Sequence, residues 1–232
     1  MSGTLLLVGA AGEPETPAIV GALAPSHDRV VAIDGGLHAC ILAGVVADMV
    51  VGDLDSASAQ DMQYAKQHSI KTVRFPAEKD ETDLDLALAE AVSLGAQEVT
   101  VTGVVGGRAD HTLAALGSVV RTPALRVALV EPGLAGWVVR SGEVLELSGA
   151  GSVVSLLALP SDAVVSVRGA KWGLERHRLA CTASLGMSNV LADEKMAITV
   201  HDGVMCVFSP KAEGYKPAQY VSRKSSRRAV RP

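Results

Sequence analysis

The sequence predicts an α/β protein in two parts, a layered half built on a parallel sheet and a small antiparallel β-sandwich after it. Three observations carry this prediction. As far as Val130, short β-branched runs alternate with apolar segments of helical period, the pattern of βαβ units. Past Gly133 the pattern changes to short strands separated by Gly, Pro and Ser. Polar, glycine-containing motifs directly follow strands of the first half, where open α/β sheets gather their ligands.

In the first half the predicted strands are Thr4 to Val8, Arg29 to Ile33, Met49 to Val51, Thr72 to Phe75, Glu98 to Thr102 and Leu125 to Val130. Leu84, Leu88, Ala91 and Val92 fall on one helical face, and His111 to Val120 reads as a second helix. Together these make a Rossmann-like layer. In the second half the predicted strands are Glu143 to Leu147, Val153 to Leu159, Ala163 to Val167, Met196 to Val200 and Val204 to Phe208. Asp202-Gly203 between the last two is a two-residue hairpin signal, because both turn positions need positive φ. The boundary is expected within Glu131 to Gly142, giving domains 1–132 and 140–210 and a basic, flexible tail over 211–232.

Composition narrows the function. At 232 residues and 48% apolar content the chain is long enough to bury a core. No apolar run reaches the roughly 20 residues that span a bilayer, and no basic segment precedes Leu5 to Val8 as in a secretory signal. The expectation is a cytoplasmic protein without membrane partners. Cys40, Cys181 and Cys206 are odd in number, far apart and set in apolar sequence, which favours buried free thiols over disulfides or zinc. The formal charge of −4 is asymmetric: Lys216 to Pro232 carries six Lys or Arg and no acid, leaving 15 basic against 25 acidic residues before it. An acidic body argues against nucleic acid as a partner, and the tail lacks the interleaved aromatics of a nucleic-acid contact.

Acidic residues concentrate in Gly52-Asp53-Leu54-Asp55-Ser56 and Asp80-Glu81-Thr82-Asp83-Leu84-Asp85. Carboxylates this dense repel one another unless a cation neutralises them, and a hard ion such as Mg2+ suits oxygen ligands. Asp53 and Asp55 are two apart, so in an extended segment both side chains share a direction and reach one cation. Asp80 and Asp83 stand at a helix start, where Asp80 or Thr82 can cap the backbone and Asp83 can face the same cleft. Acids in a first helical turn also serve as caps and dipole partners without any metal.

Asp34-Gly35-Gly36 follows the second strand, and the glycines permit close approach of a ligand to the backbone. Gly106-Gly107 before a helix start exposes amides that suit a phosphate. Arg108 can fork across phosphate oxygens, while Asp110 or His111 could bind a nucleotide or orient a partner. The chain has no P-loop, since Gly9-Ala10-Ala11-Gly12 lacks the lysine that element requires.

Four of these motifs, Asp34-Gly35-Gly36, Gly52 to Ser56, Glu78-Lys79-Asp80-Glu81-Thr82-Asp83 and Gly106-Gly107-Arg108-Ala109-Asp110-His111-Thr112-Leu113, occur in the order and approximate spacing of thiamine pyrophosphokinases. The chain resembles that family nearly throughout, with Lys171-Trp172-Gly173-Leu174 and Gly186-Met187-Ser188-Asn189 similar to its thiamine-side elements. The resemblance implies an ATP- and Mg2+-binding catalytic first domain, a thiamine-binding β-sandwich, and a homodimer with active sites at the subunit interface. It further implies transfer of a diphosphate from ATP to the hydroxyethyl group of thiamine, leaving AMP. Asp53, Asp55 and Asp83 would be Mg2+ ligands, with Asp80 beside them. Lys79, Thr82, Arg108 and Asp110 would contact the nucleotide phosphates or the transferred group, and Gly107 would sit under them. Asp34, Gly35 and His111 would shape the nucleotide pocket. Trp172, supplied by the partner subunit, would stack on thiamine with Ser188 and Asn189 nearby.

Two departures stand out: Val46-Ala47-Asp48 lacks a proline common before the acid, and Val190 stands where an acidic residue is common. One alternative is a diphosphokinase for another hydroxymethyl heterocycle such as a pterin, in which the acidic cluster persists and Trp172 is unnecessary. Another is a non-catalytic nucleotide-binding protein on the same scaffold, which would be expected to lose the acidic ligands.

Overall fold

A computed structural model of the chain describes residues 3–11, 14–210 and 219–222. It divides into two compact units, Met1–Val138 and Val139–Pro232.

The first unit is built on strands β1 (Gly3–Val8), β2 (Arg29–Ile33), β3 (Met49–Gly52), β4 (Lys71–Arg74), β5 (Ala96–Thr102), β6 (Arg126–Glu131) and β7 (Leu134–Arg140), in spatial order β7-β6-β5-β1-β2-β3-β4. Strands β1 to β6 are mutually parallel, and β7 returns antiparallel on β6. The predicted strands are present with ends shifted by at most two residues, and β7 is an addition. The chain winds outward from β1 to β4, then crosses to the other side of β1 for β5. Such a reversal opens a crevice at the carboxyl ends of the two central strands.

Five helices connect the strands: α1 (Thr16–Leu23), α2 (Gly36–Leu42), α3 (Ala59–Gln67), α4 (Asp83–Ser93) and α5 (Ala109–Val120). Because side chains alternate across a strand, Leu6 and Val8 join Val20, Leu37, Cys40 and Ala65 from α1 to α3 in one apolar cluster. Helix α4 lies against β2, β3 and β5. Its buried face is Leu84, Ala87, Leu88 and Ala91, whereas Val92, expected on that face, is 40% exposed at its rim. Eight residues from Leu84, Val92 has rotated about 80° off the buried stripe. The helix starts are written in the sequence as capping boxes, Ser58 with Asp61 for α3 and Thr82 with Asp85 for α4.

The second unit contains a five-stranded antiparallel sheet, β11-β10-β13-β8-β15, and the antiparallel strands β12-β9-β14. Their ranges are β8 Glu143–Ser148, β9 Val153–Ala158, β10 Ala163–Arg168, β11 Leu174–Leu179, β12 Asn189–Val190, β13 Lys195–Asp202, β14 Val204–Pro210 and β15 Gln219–Ser222. Within the stretch expected as a tail, Gln219–Ser222 pairs with β8. The rest of that tail and Gly12 lie outside the described residues.

The Asp202-Gly203 hairpin does not form. Strand β13 pairs with β10 and β8, while β14 pairs with β9. Only Gly203 has positive φ, at 82°, so the dipeptide is a corner between two sheets. All three cysteines are free; Cys40 and Cys206 are buried, and burial pushes their thiols up to about 12 and about 11. Cys181, also expected inside, is partly exposed because it lies in the loop after β11, with its Sγ 3.4 Å from the Pro160 carbonyl.

Candidate active site

The carboxyl ends of β2 and β3 bring acids together. Pairing of Ile33 with Val51 sets Asp34 beside Gly52, and Asp34 N–H donates to the Val51 carbonyl at 2.9 Å. Asp34 and Leu54 both hold left-handed backbone, with φ of 48° and 66°. A leucine in that region carries strain of order 1–2 kcal/mol, the kind that concentrates at functional sites. Carboxylate oxygens of Asp34, Asp53 and Asp83 lie within 4.8 Å of one another.

Each acid of the group has a defined setting. Asp34 Oδ2 accepts from the Ser56 hydroxyl, which in turn accepts from Gly35 N–H at 3.1 Å. Asp34 Oδ1 is buried without a hydrogen-bond partner among the described residues. Asp53 Oδ1 accepts from Asp55 N–H at 3.2 Å, and its Oδ2 accepts from Lys79 Nζ at 3.2 Å. Asp83 is the first residue of α4; because Thr82 and Asp85 satisfy the capping bonds, its carboxylate is released toward the cleft. Lys79 Nζ lies 2.9 Å from Asp83 Oδ1 as an ion pair.

Electrostatics follow the geometry. The Asp55 amide, aided by Lys79, holds the Asp53 carboxyl below the usual range. Burial opposes the Lys79 charge, yet Asp83 and Asp53 outweigh it and hold the ammonium above its ordinary pKa. Asp55 is pushed up, first by Asp53 and then by Asp34. Three hard carboxylates and one unpartnered buried oxygen fit a divalent cation such as Mg2+.

The expected residues separate accordingly. Asp53 and Asp83 meet, and Asp34, expected in the nucleotide pocket, joins them. Asp55 is exposed: the turn at Leu54 replaces the extended backbone that would have aligned it with Asp53. Asp80 is also exposed and makes no ion pair among the described residues. Thr82 is occupied as a cap.

A second cluster follows β5. Gly106 and Gly107 hold φ of 131° and 61°, and Arg108 ends the loop as the N-cap of α5. The Arg108 fork grips Asp110 through Nε to Oδ1 at 3.1 Å and Nη2 to Oδ2 at 2.6 Å. That fork brings the Asp110 carboxyl down to about 2. His111 is exposed in the first turn of α5. Glu131, at the end of β6, accepts from three backbone amides of this loop. Its only signal in the sequence is an acid closing the apolar run Val127 to Val130.

In the second unit, Trp172 is 54% exposed whereas Trp137 of β7 is buried. Lys171 Nζ stands 4.6 Å from the Trp172 ring centroid. Asn189, expected to contact substrate, is buried and clamps the Trp172 backbone. Its Oδ1 accepts from Trp172 N–H at 3.2 Å and its Nδ2 donates to the Trp172 carbonyl at 2.8 Å. Ser188 has φ of 57°, and its N–H donates to Ser155 Oγ at 3.0 Å.

An open parallel sheet with a carboxylate group and a glycine-rich loop at its carboxyl edge defines a doubly wound α/β protein, a class that gathers ligands at its strand ends. Residues 20–129 match the profile of the thiamin pyrophosphokinase catalytic domain, and residues 143–205 match that of the thiamin pyrophosphokinase vitamin B1 binding domain. The chain belongs to the thiamine pyrophosphokinase family.

Relatives agree with this. Thiamine pyrophosphokinase of Bacillus subtilis is 34% identical over 87 residues, 38% of this chain and 41% of that protein. Thiamine pyrophosphokinase 1 of rice (Oryza sativa subsp. japonica) is 24% identical over 163 residues, 66% of this chain and 62% of that protein. The alignments therefore span less than two thirds of these relatives. The crystal structure of the Bacillus subtilis enzyme superposes with a TM-score of 0.76 at 22% identity, covering 90% of this chain and 99% of that one. A thiamin pyrophosphokinase family protein from Enterococcus faecalis gives 0.75 at 26% identity, covering 91% and 100%.

Proposed function

We propose that this protein is a Mg2+-dependent thiamine pyrophosphokinase that moves the terminal diphosphate of ATP to the hydroxyethyl group of thiamine, releasing AMP. The observation that carries the reading is the convergence of Asp34, Asp53 and Asp83 around Lys79 at the sheet edge, in a chain that matches both domain profiles of one family.

In this reaction the thiamine hydroxyl oxygen bonds to the β-phosphorus, the bond from that phosphorus to the α–β bridging oxygen breaks, and AMP departs. The hydroxyl proton passes to a carboxylate of the acidic group. Asp53, Asp83 and Asp34 would hold Mg2+, with Asp55 beside them; the bound ion supplies neutralisation of phosphate charge. Lys79 and Arg108 turn their cationic groups from Asp53, Asp83 and Asp110 to the phosphate oxygens, stabilising the charge of the transferring group. Trp172 offers its π face to the thiazolium cation, an interaction of about 0.5–2 kcal/mol. The active form is a cytoplasmic homodimer with active sites at the subunit interface.

The test is the nucleotide product. Purified protein given ATP, thiamine and Mg2+ is expected to form AMP and thiamine diphosphate in equal amounts. ADP as the nucleotide product would mark a simple kinase and reject the reading.

A further inference from the structure

The Gly103-to-Arg108 loop is held from inside by one carboxylate. Glu131 is only 3% exposed, and its two oxygens collect three consecutive backbone N–H groups. Oε2 accepts from Gly103 at 2.9 Å, while Oε1 accepts from Val104 at 2.9 Å and Val105 at 3.1 Å. Successive N–H groups that converge in this way form an anion-binding concavity. In this fold the concavity is filled by the protein's own anion, so a ligand phosphate must be met further along the loop.

The other side of the loop is braced by backbone. Ala11 N–H donates to the Gly103 carbonyl at 2.7 Å, and Gly9 N–H donates to the Thr102 carbonyl at 2.8 Å. A Cβ on Gly9 would fall 2.5 Å from the Gly103 carbonyl oxygen, and one on Gly103 would fall 2.4 Å from that of Gly9. The first half of the loop is thus locked between β1 and β6. Its second half behaves differently: Gly107 has open space at its Cβ position and Arg108 is exposed.

We infer that Glu131 is a positioning residue, which pins Gly103 to Val105 so that Gly107, Arg108 and the first turn of α5 face the nucleotide phosphates. This rests on the proposed nucleotide role of the loop. Charge-assisted hydrogen bonds to a carboxylate are stronger than neutral ones, and three of them on consecutive amides fix a direction as well as a position. Glutamine keeps the size but turns one acceptor into a donor facing other donors, and such a mismatch in a buried site is unfavourable.

Glu131→Gln is expected to raise the KM for ATP about tenfold while leaving the KM for thiamine within about twofold. In an Arg108→Ala background the same substitution is expected to add less than about threefold, because the guanidinium it orients is gone. An unchanged ATP KM, equal effects on both substrates, or a full tenfold addition in both backgrounds overturns the inference. Hydrogen exchange on the unmodified protein gives a second reading that does not require the variant to fold. The amides of Gly103, Val104 and Val105 are expected to be protected with and without ATP, and Gly107 and Arg108 to gain protection when ATP is added. Rapid exchange at the first three defeats the inference. If the unmodified protein makes no AMP from ATP and thiamine, the proposed reaction fails by itself; exchange and calorimetric ATP binding then still decide the role of Glu131.

Discussion

A Cβ placed on Gly52 falls 3.3 Å from Asp83 Oδ1 and 3.1 Å from the Cβ of Asp34. The last residue of β3 is therefore a spacer at the centre of the acidic group. Its φ of 148° is a value that side chains rarely adopt, so two independent constraints ask for glycine there. Gly52→Ala is expected to cost about 1–3 kcal/mol in urea unfolding and to weaken Mg2+-supported turnover by spreading Asp34 from Asp83. Unchanged stability and turnover together would show that the group tolerates a side chain at its centre.

Asp53→Asn and Asp83→Asn test the carboxylates directly. Each is expected to reduce turnover at least about 100-fold while circular dichroism keeps the signature of the folded protein. Near-normal activity in both at low Mg2+ would remove these residues from the metal site.

Asp55 provides a pH test of the same cluster. Repulsion from Asp53 and Asp34 raises its pKa above the ordinary value of 3.8. Ionised Asp55 therefore costs stability at neutral pH, and the cost disappears as the pH falls below the ordinary value, where both folded and unfolded forms are protonated. In metal-free buffer Asp55→Asn is expected to raise Tm at neutral pH and to give no gain below about pH 3.5. A fall in Tm at neutral pH would contradict the assigned repulsion.

Trp172 and Asn189 are expected to act as one unit. Trp172→Ala should raise the KM for thiamine about 3- to 30-fold. Asn189→Ala removes hydrogen bonds to both the N–H and the carbonyl of Trp172, with an expected cost of about 1–3 kcal/mol in stability and a similar KM effect. The double variant should be little worse in KM than Trp172→Ala alone; full additivity would give Asn189 a contact of its own with the substrate.

Much of the first unit was legible because its signals are local. The β-branched runs, the Thr82-to-Asp85 capping pattern and the positions of polar motifs after strands all operate within a few residues. The Asp202-Gly203 dipeptide failed for the opposite reason. A hairpin needs the following strand to pair with the preceding one, and the partners of β13 and β14 lie elsewhere in the chain. The hold of Asn189 on Trp172 was illegible for a similar reason, since its side chain bonds a backbone 17 residues away.

The sequence by itself determined the α/β class, the succession of strands β1 to β6, the acidic motifs and their family. Tertiary structure alone decided which acids meet. Asp34 reaches Asp53 because Ile33 pairs with Val51 across the sheet, and Asp83 reaches both because α4 packs against β2 and β3. It also decided that Glu131 faces inward to the loop after β5. Spacing along a chain describes geometry over one or two turns, whereas a site assembled from two strands and a helix depends on register and packing, which arise only when the whole core is buried.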